Sequence, residues 1–151
     1  MAIREGAGSR RVQRHPDRRL ALAILDNAWT FHAMSLSMSG RTGDASGHYL
    51  GIAIELGLKA YLLHRGIRDQ WNRIHIGHDL IKAFRSVRRS GLRDLPDGLE
   101  DLVRDLNPVG TAAGEYRDRR GLPTGTSEDL AQAVVSDLLV RVSSAVRTGQ
   151  E

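Results

Sequence analysis

The sequence predicts an all-α protein, an antiparallel bundle of four to five helices in one domain. Apolar residues recur at three- and four-residue spacing over long segments, which is the period of a helix with one buried face. No segment alternates apolar and polar residues between turn residues, as a half-buried strand does. A chain of 151 residues is long enough for one hydrophobic core and short for two.

Residues 1–16 are predicted to form a flexible basic arm ahead of a helical domain at 17–148, because they contain Gly6, Gly8 and Pro16 without apolar periodicity. Six arginines and two acidic residues lie in residues 1–19, and the other 16 basic and 16 acidic residues balance. The net charge of +4 therefore comes from the start of the chain. Such an arm either adds sequence-independent affinity for RNA or DNA or is a solvated end.

The first helix is predicted from about Asp17, which follows Pro16, to Met38. Glycines in residues 39–47 then indicate a loop. The residues of the first helix that are predicted to face inward are Leu20, Ile24, Leu25, Ala28, Phe31 and His32.

The segment from Tyr49 to Gly66 is apolar almost all the way round, which predicts a central helix buried on most sides. Glu55 and Lys59 interrupt it four residues apart, so both side chains lie on one face. Ionised groups in such a helix must be paired or must line a polar cleft. The alternative is an ordinary exposed pair on the helix surface.

The second half of the chain predicts a loop and three more helices. Residues 67–77 are predicted to be the loop, and a third helix starts near His78 or Asp79 and ends at Gly91. Its outer side carries Arg85, Arg88 and Arg89.

A short fourth helix, capped by Asp97, is predicted to end before Pro108. Thr126 and Asp129 form a capping box for the last helix, which reaches about Val146. The stripe predicted to face inward on the last helix consists of Leu130, Val134, Leu138, Val142 and Ala145.

Composition and motifs exclude several classes of protein. The chain has no cysteine, which excludes disulfides and thiolate chemistry and favours a cytoplasmic protein. No run of about 18 uncharged apolar residues suggests a membrane span, and no apolar signal segment is present. Phosphate-binding glycine loops, HExxH and GxSxG are absent, which argues against a P-loop ATPase, a classical metalloprotease and a nucleophilic enzyme, and no cofactor is predicted. His64, His75 and His78 lack a recognisable ligand spacing, so no metal is predicted.

Three strings resemble the HEPN family of small helical domains. They are AIELGLKAYLLHRGI at 53–67, GHDLIKAF at 77–84 and EYRDRRG at 115–121. Their order is similar to the family's central helix with an acid and a lysine, its GHxL turn and its late YR element. The resemblance covers roughly residues 18–146. It implies antiparallel helices, a homodimer, and a role in RNA cleavage or binding within toxin–antitoxin, phage-defence or RNA-processing systems.

The resemblance also implies a ligand-binding cleft, whose residues are Glu55, Lys59, His78, Tyr116 and Arg117. Catalytic members of the family carry an arginine followed, four to six residues later, by a histidine near the last helix. No histidine follows His78 in this chain, so Arg117 lacks that partner. In such a ribonuclease the arginine holds the phosphate and the histidine moves the proton. Because Arg117 has no such histidine, the domain is predicted to lack catalytic activity.

The expected function is therefore binding of RNA, a nucleotide or a partner protein by a HEPN-like domain. One alternative is a metal-independent ribonuclease that uses Arg73 and His78, which have the motif's spacing at another position. Another is a purely structural dimerisation module.

Overall fold

The computed structural model describes residues 16–38, 43–108, 122 and 126–148 of the chain. It is an all-α bundle, as predicted, and no strand occurs in these ranges. The helices are α1 (Arg18–Ser37), α2 (Gly43–His64), α3 (Asp69–Trp71), α4 (Leu80–Arg89), α5 (Leu99–Leu106) and α6 (Glu128–Thr148), and α3 continues into a π-helical turn at Asn72–Ile76.

Helix α2 is the centre of the bundle. It packs most extensively on α1 and also contacts α4, α5 and α6. Because neighbours surround it, it has almost no wet face, which explains its apolar sequence. Its fully buried side chains include Leu50, Ile54, Leu58 and Leu62. The prediction of a central buried helix is confirmed.

Helix α1 begins and ends where the sequence predicts. The Asp17 carboxylate accepts a hydrogen bond from the backbone N–H of Leu20 at 3.0 Å, and Met38 is the residue that follows the last turn. Buried polar contacts join α1 to α6: His32 Nε2 lies 3.0 Å from the carbonyl oxygen of Gln132, whose side chain donates to the carbonyl of Ser35 at 3.3 Å. These bonds satisfy polar groups that burial would otherwise penalise.

The prediction of a loop at residues 67–77 is wrong for most of that segment, because α3 and the π-helical turn occupy residues 69–76. Asp69 and Arg73 form an ion pair at 2.9 Å, and the rings of Trp71 and His75 lie 4.7 Å apart. Both pairs are four residues apart, the spacing at which side chains meet on a helix. The segment is too polar to show an apolar period, so its helical turn was missed.

Two details of the later helices also differ from prediction. Gly98, with φ of 86°, precedes α5 and Asp97 does not cap it. At the start of α6, Ser127 Oγ accepts from the N–H of Leu130 at 3.3 Å, one residue later than the predicted capping box. The Leu130 side chain is 63% exposed rather than inward.

None of the helices in the described part of the chain is long and apolar enough to cross a membrane.

Gly57 lets α2 and α6 pack closely. A methyl group at this position would lie 2.6 Å from Cδ2 of Leu139. Leu139 is fully buried, so its side chain has no open space to move into. A glycine in the middle of a helix weakens it, but here the packing requires one.

We expect Gly57→Ala to destabilise the protein by about 1 kcal/mol, because overpacking costs roughly 1–3 kcal/mol and the gain in helix propensity returns up to about 1 kcal/mol. Urea unfolding of the purified protein measures the change. In a Leu139→Val background the penalty should shrink, since the clashing carbon is gone. A stabilised Gly57→Ala protein would contradict the close packing.

Candidate functional site

The charged pair of α2, Glu55 and Lys59, is largely buried. Lys59 Nζ donates to Glu55 Oε2 at 3.2 Å, and the two side chains are only 13% and 9% exposed. An ordinary surface ion pair would be far more exposed and would contribute little to the stability of the fold. Burial makes the partners necessary, because a lone ionised group here would be costly.

Lys59 also binds the backbone of the turn before α4. Its Nζ donates to the carbonyl oxygen of Gly77 at 2.6 Å. Gly77 ends the π-helical turn with φ of 57° and ψ of −123°, a conformation that strains residues with a side chain. Its own N–H donates to the carbonyl of Asn72 at 2.9 Å. The lysine therefore holds this turn against α2.

His78 contacts the same carboxylate. Its Nδ1 is 3.2 Å from both Oε1 and Oε2 of Glu55. The carboxylate favours a proton on Nδ1 and orients the ring, as second partners of functional histidines do. Nε2, at the far side of the ring, points away from Glu55, and 59% of the side chain is exposed. The histidine is thus both oriented and accessible.

The start of α4 is fixed by a second polar group. The Asp79 carboxylate accepts from the N–H groups of Ile81 and Lys82 at 3.1 and 3.2 Å, which confirms the predicted helix start. It also accepts from Asn107 Nδ2 at 3.1 Å, and Asn107 Oδ1 accepts from the N–H of Leu80 at 3.0 Å. The residue after His78 is therefore anchored to the end of α5.

Sequence reasoning missed Asn107 and Asn72. Asn107 precedes Pro108 at the end of a helix, a place where a polar cap is common, but its partner is 28 residues away. Asn72 is fully buried in the π-helical turn, and its side-chain atoms have no hydrogen-bond partner among the described residues. Only the fold shows that this amide is buried, since the turn itself was not predicted.

Of the other predicted site residues, the structure describes only Arg73, which pairs elsewhere. Arg73 is 78% exposed and its Nε pairs with Asp69 at 2.9 Å. Tyr116 and Arg117 lie outside the described residues, so their place in the cleft stays a prediction. Over the described ranges, no three histidine or acidic side chains are grouped closely enough to hold a metal ion.

In comparisons with known proteins, the chain matches no family model, no curated protein and no solved structure significantly. The resemblance to the HEPN family stays a prediction.

We expect Glu55→Gln to destabilise the protein by about 3 kcal/mol, because Lys59 would keep a buried charge without its counter-charge. Adding Lys59→Met should restore most of this loss, since no ammonium group then remains in the site. Chemical denaturation of the single and double variants measures both effects.

Glu100→Gln is the matched control, because Glu100 pairs with Arg104 at 2.6 Å, also four residues away, on an exposed surface. It should change stability little. Equal losses for Glu55→Gln and Glu100→Gln would show that burial of the first pair has no energetic consequence.

Proposed function

We propose that this protein is a cytoplasmic, homodimeric HEPN-like domain without catalytic activity, which binds single-stranded RNA at the surface around His78. A role in toxin–antitoxin, defence or RNA-processing systems belongs to the same proposal. It rests on the resemblance of the three sequence strings and on the geometry of the Glu55, Lys59 and His78 group.

The observation that carries the proposal is the oriented, exposed imidazole of His78. Glu55 orients the ring through Nδ1 from a buried position, and 59% of the His78 side chain is exposed. Such a ring can donate to a phosphate oxygen when it is protonated and can bond to a base edge when it is neutral. Lys59 acts as a positioning residue here, because its ammonium group already binds Glu55 and Gly77.

Two rings close to His78 in sequence favour single-stranded RNA over a protein partner. Trp71, 40% exposed, lies against His75, which is also exposed. Single-stranded nucleic acids bind by stacking bases on such exposed rings, because their bases are not already paired. The segment of α3 and the π-helical turn therefore supplies stacking groups, and His78 supplies a polar contact at its end.

The test measures binding of the full chain to a fluorescein-labelled single-stranded RNA of roughly 20 nucleotides, longer than the ~4–16 nucleotide sites of common single-strand binding folds. His78→Ala should weaken binding about 10-fold, since a hydrogen bond to a charged group contributes roughly 1.5–3 kcal/mol. The control is His48→Ala, an exposed histidine of α2. Equal affinities for the His78→Ala and unmodified proteins would contradict the proposed site.

A ribonuclease is the second candidate, and the Glu55 and His78 pair favours it. A carboxylate that orients a histidine is one arrangement used in general acid–base catalysis. The proposed arginine, Arg73, is paired with Asp69 instead of facing an incoming phosphate. Cleavage of the same RNA without added metal, lost in His78→Ala, would replace the binding proposal with this one. No RNA affinity, with dissociation of a dimer on dilution, would favour a structural dimerisation module.

A further inference from the structure

Four arginines near the end of α4 form one surface, which we call the α4 arginine surface. It consists of Arg85, Arg88, Arg89 and Arg93, which together line an open concavity of about 330 Å³. All four side chains are exposed. From Leu80 to Arg93 the chain carries these arginines and Lys82 but no acidic residue. None of its residues belongs to the group around Glu55 and His78.

These arginines lack acidic partners within the described part of the protein. No ion pair or hydrogen bond joins their side chains to an acid there, and Arg88 lies over the Phe84 ring at 5.8 Å from its centroid. Three arginines of other helices, Arg104, Arg141 and Arg147, each pair with an acidic residue. The α4 arginine surface is therefore a concentration of positive charge that forms no ion pair with the described acidic residues, and Asp97 and Glu100 line a neighbouring concavity with Arg88 and Arg93.

Helix stability does not account for the cluster. Arg85 lies three residues before Arg88 and four before Arg89, and like charges at these spacings repel each other. Arg88 and Arg89 are in the last turn, where positive charge is favourable. That effect does not extend to Arg85, a full turn earlier, or to Arg93, beyond the helix.

We propose that the α4 arginine surface binds the phosphodiester backbone of a nucleic acid without reading its sequence. Guanidinium groups bind phosphate oxygens through two parallel hydrogen bonds, and backbone contacts of this kind provide affinity rather than specificity. Every described residue that lines the concavity is an arginine, whereas a protein interface has an apolar centre.

A membrane surface is the weaker alternative. Membrane-bound helices insert an apolar face below a basic one, but the apolar face of α4 is already buried in the core, where Leu80, Phe84 and Val87 lie. The exposed large apolar side chains of the described chain lie on other elements: Leu36, Trp71, Ile74, Leu130 and Val140.

The experiment compares two triple variants of the full chain with the same change in net charge. The first is Arg85→Gln with Arg89→Gln and Arg93→Gln, which leaves Arg88 on Phe84. The control is Arg19→Gln with Arg104→Gln and Arg147→Gln, exposed arginines of α1, α5 and α6. The probes are fluorescein-labelled single-stranded RNA and DNA of roughly 20 nucleotides, and affinity is measured over a range of salt concentrations.

We expect the α4 variant to bind both probes more weakly and with a shallower salt dependence than the control. Each phosphate contact on a single strand adds about 0.7 to the slope of log K against log salt concentration, so losing three should reduce the slope by about 2. Thermal unfolding should show an unchanged or raised Tm, since like-charge repulsion is removed. Residues 1–16, with their four arginines, are unchanged in both variants and cannot cause a difference between them.

Equal slopes for the two triple variants would overturn the proposal. The proposal would also be overturned if the α4 variant bound RNA and DNA normally but no longer bound vesicles that contain phosphatidylserine. That result would assign the surface to a membrane. The result is separable from the proposal for His78: that proposal fails if His78→Ala binds RNA normally, whatever the slopes of the arginine variants are.

Discussion

The buried carboxylate of Glu55 is the constraint on which the site depends. It lies in the most enclosed helix of the bundle, where an ionised group must have partners. Lys59 comes from the same helix, and His78 comes from the turn that precedes α4. Because Lys59 also binds the Gly77 carbonyl, both partners connect this turn to α2. Neutralising one charge thus affects the packing of two elements and the orientation of an exposed histidine.

The parts of the fold that depend on local interactions were predictable from sequence. The caps at Asp17 and Asp79 bond to N–H groups two or three residues away, and the burial of α2 follows from its own composition. The turn over residues 69–76 was not predictable in this way. Its polar residues carry no apolar period, and its end is held by Lys59, a tertiary contact across 18 residues.

In the candidate site, too, sequence predicts the local features and not the tertiary contacts. Spacing alone paired Glu55 with Lys59, but only packing could decide between a buried and an exposed pair. The contact of His78 with Glu55 spans 23 residues, so sequence suggested both residues without showing that they meet. On the α4 arginine surface, helix spacing placed three arginines on the outer side. Arg93 lies after the helix, so its place beside them depends on the path of the chain beyond Gly91.

The most direct test of this account is the protonation pattern of His78, measured by long-range ¹H–¹⁵N correlation of the histidine side chains. If the buried Glu55 carboxylate holds the ring, neutral His78 carries its proton on Nδ1, and His48 is the internal reference for an exposed ring. Glu55→Gln should weaken that preference. A neutral His78 with its proton on Nε2, unchanged in Glu55→Gln, would show that the carboxylate does not orient the histidine and would contradict the account.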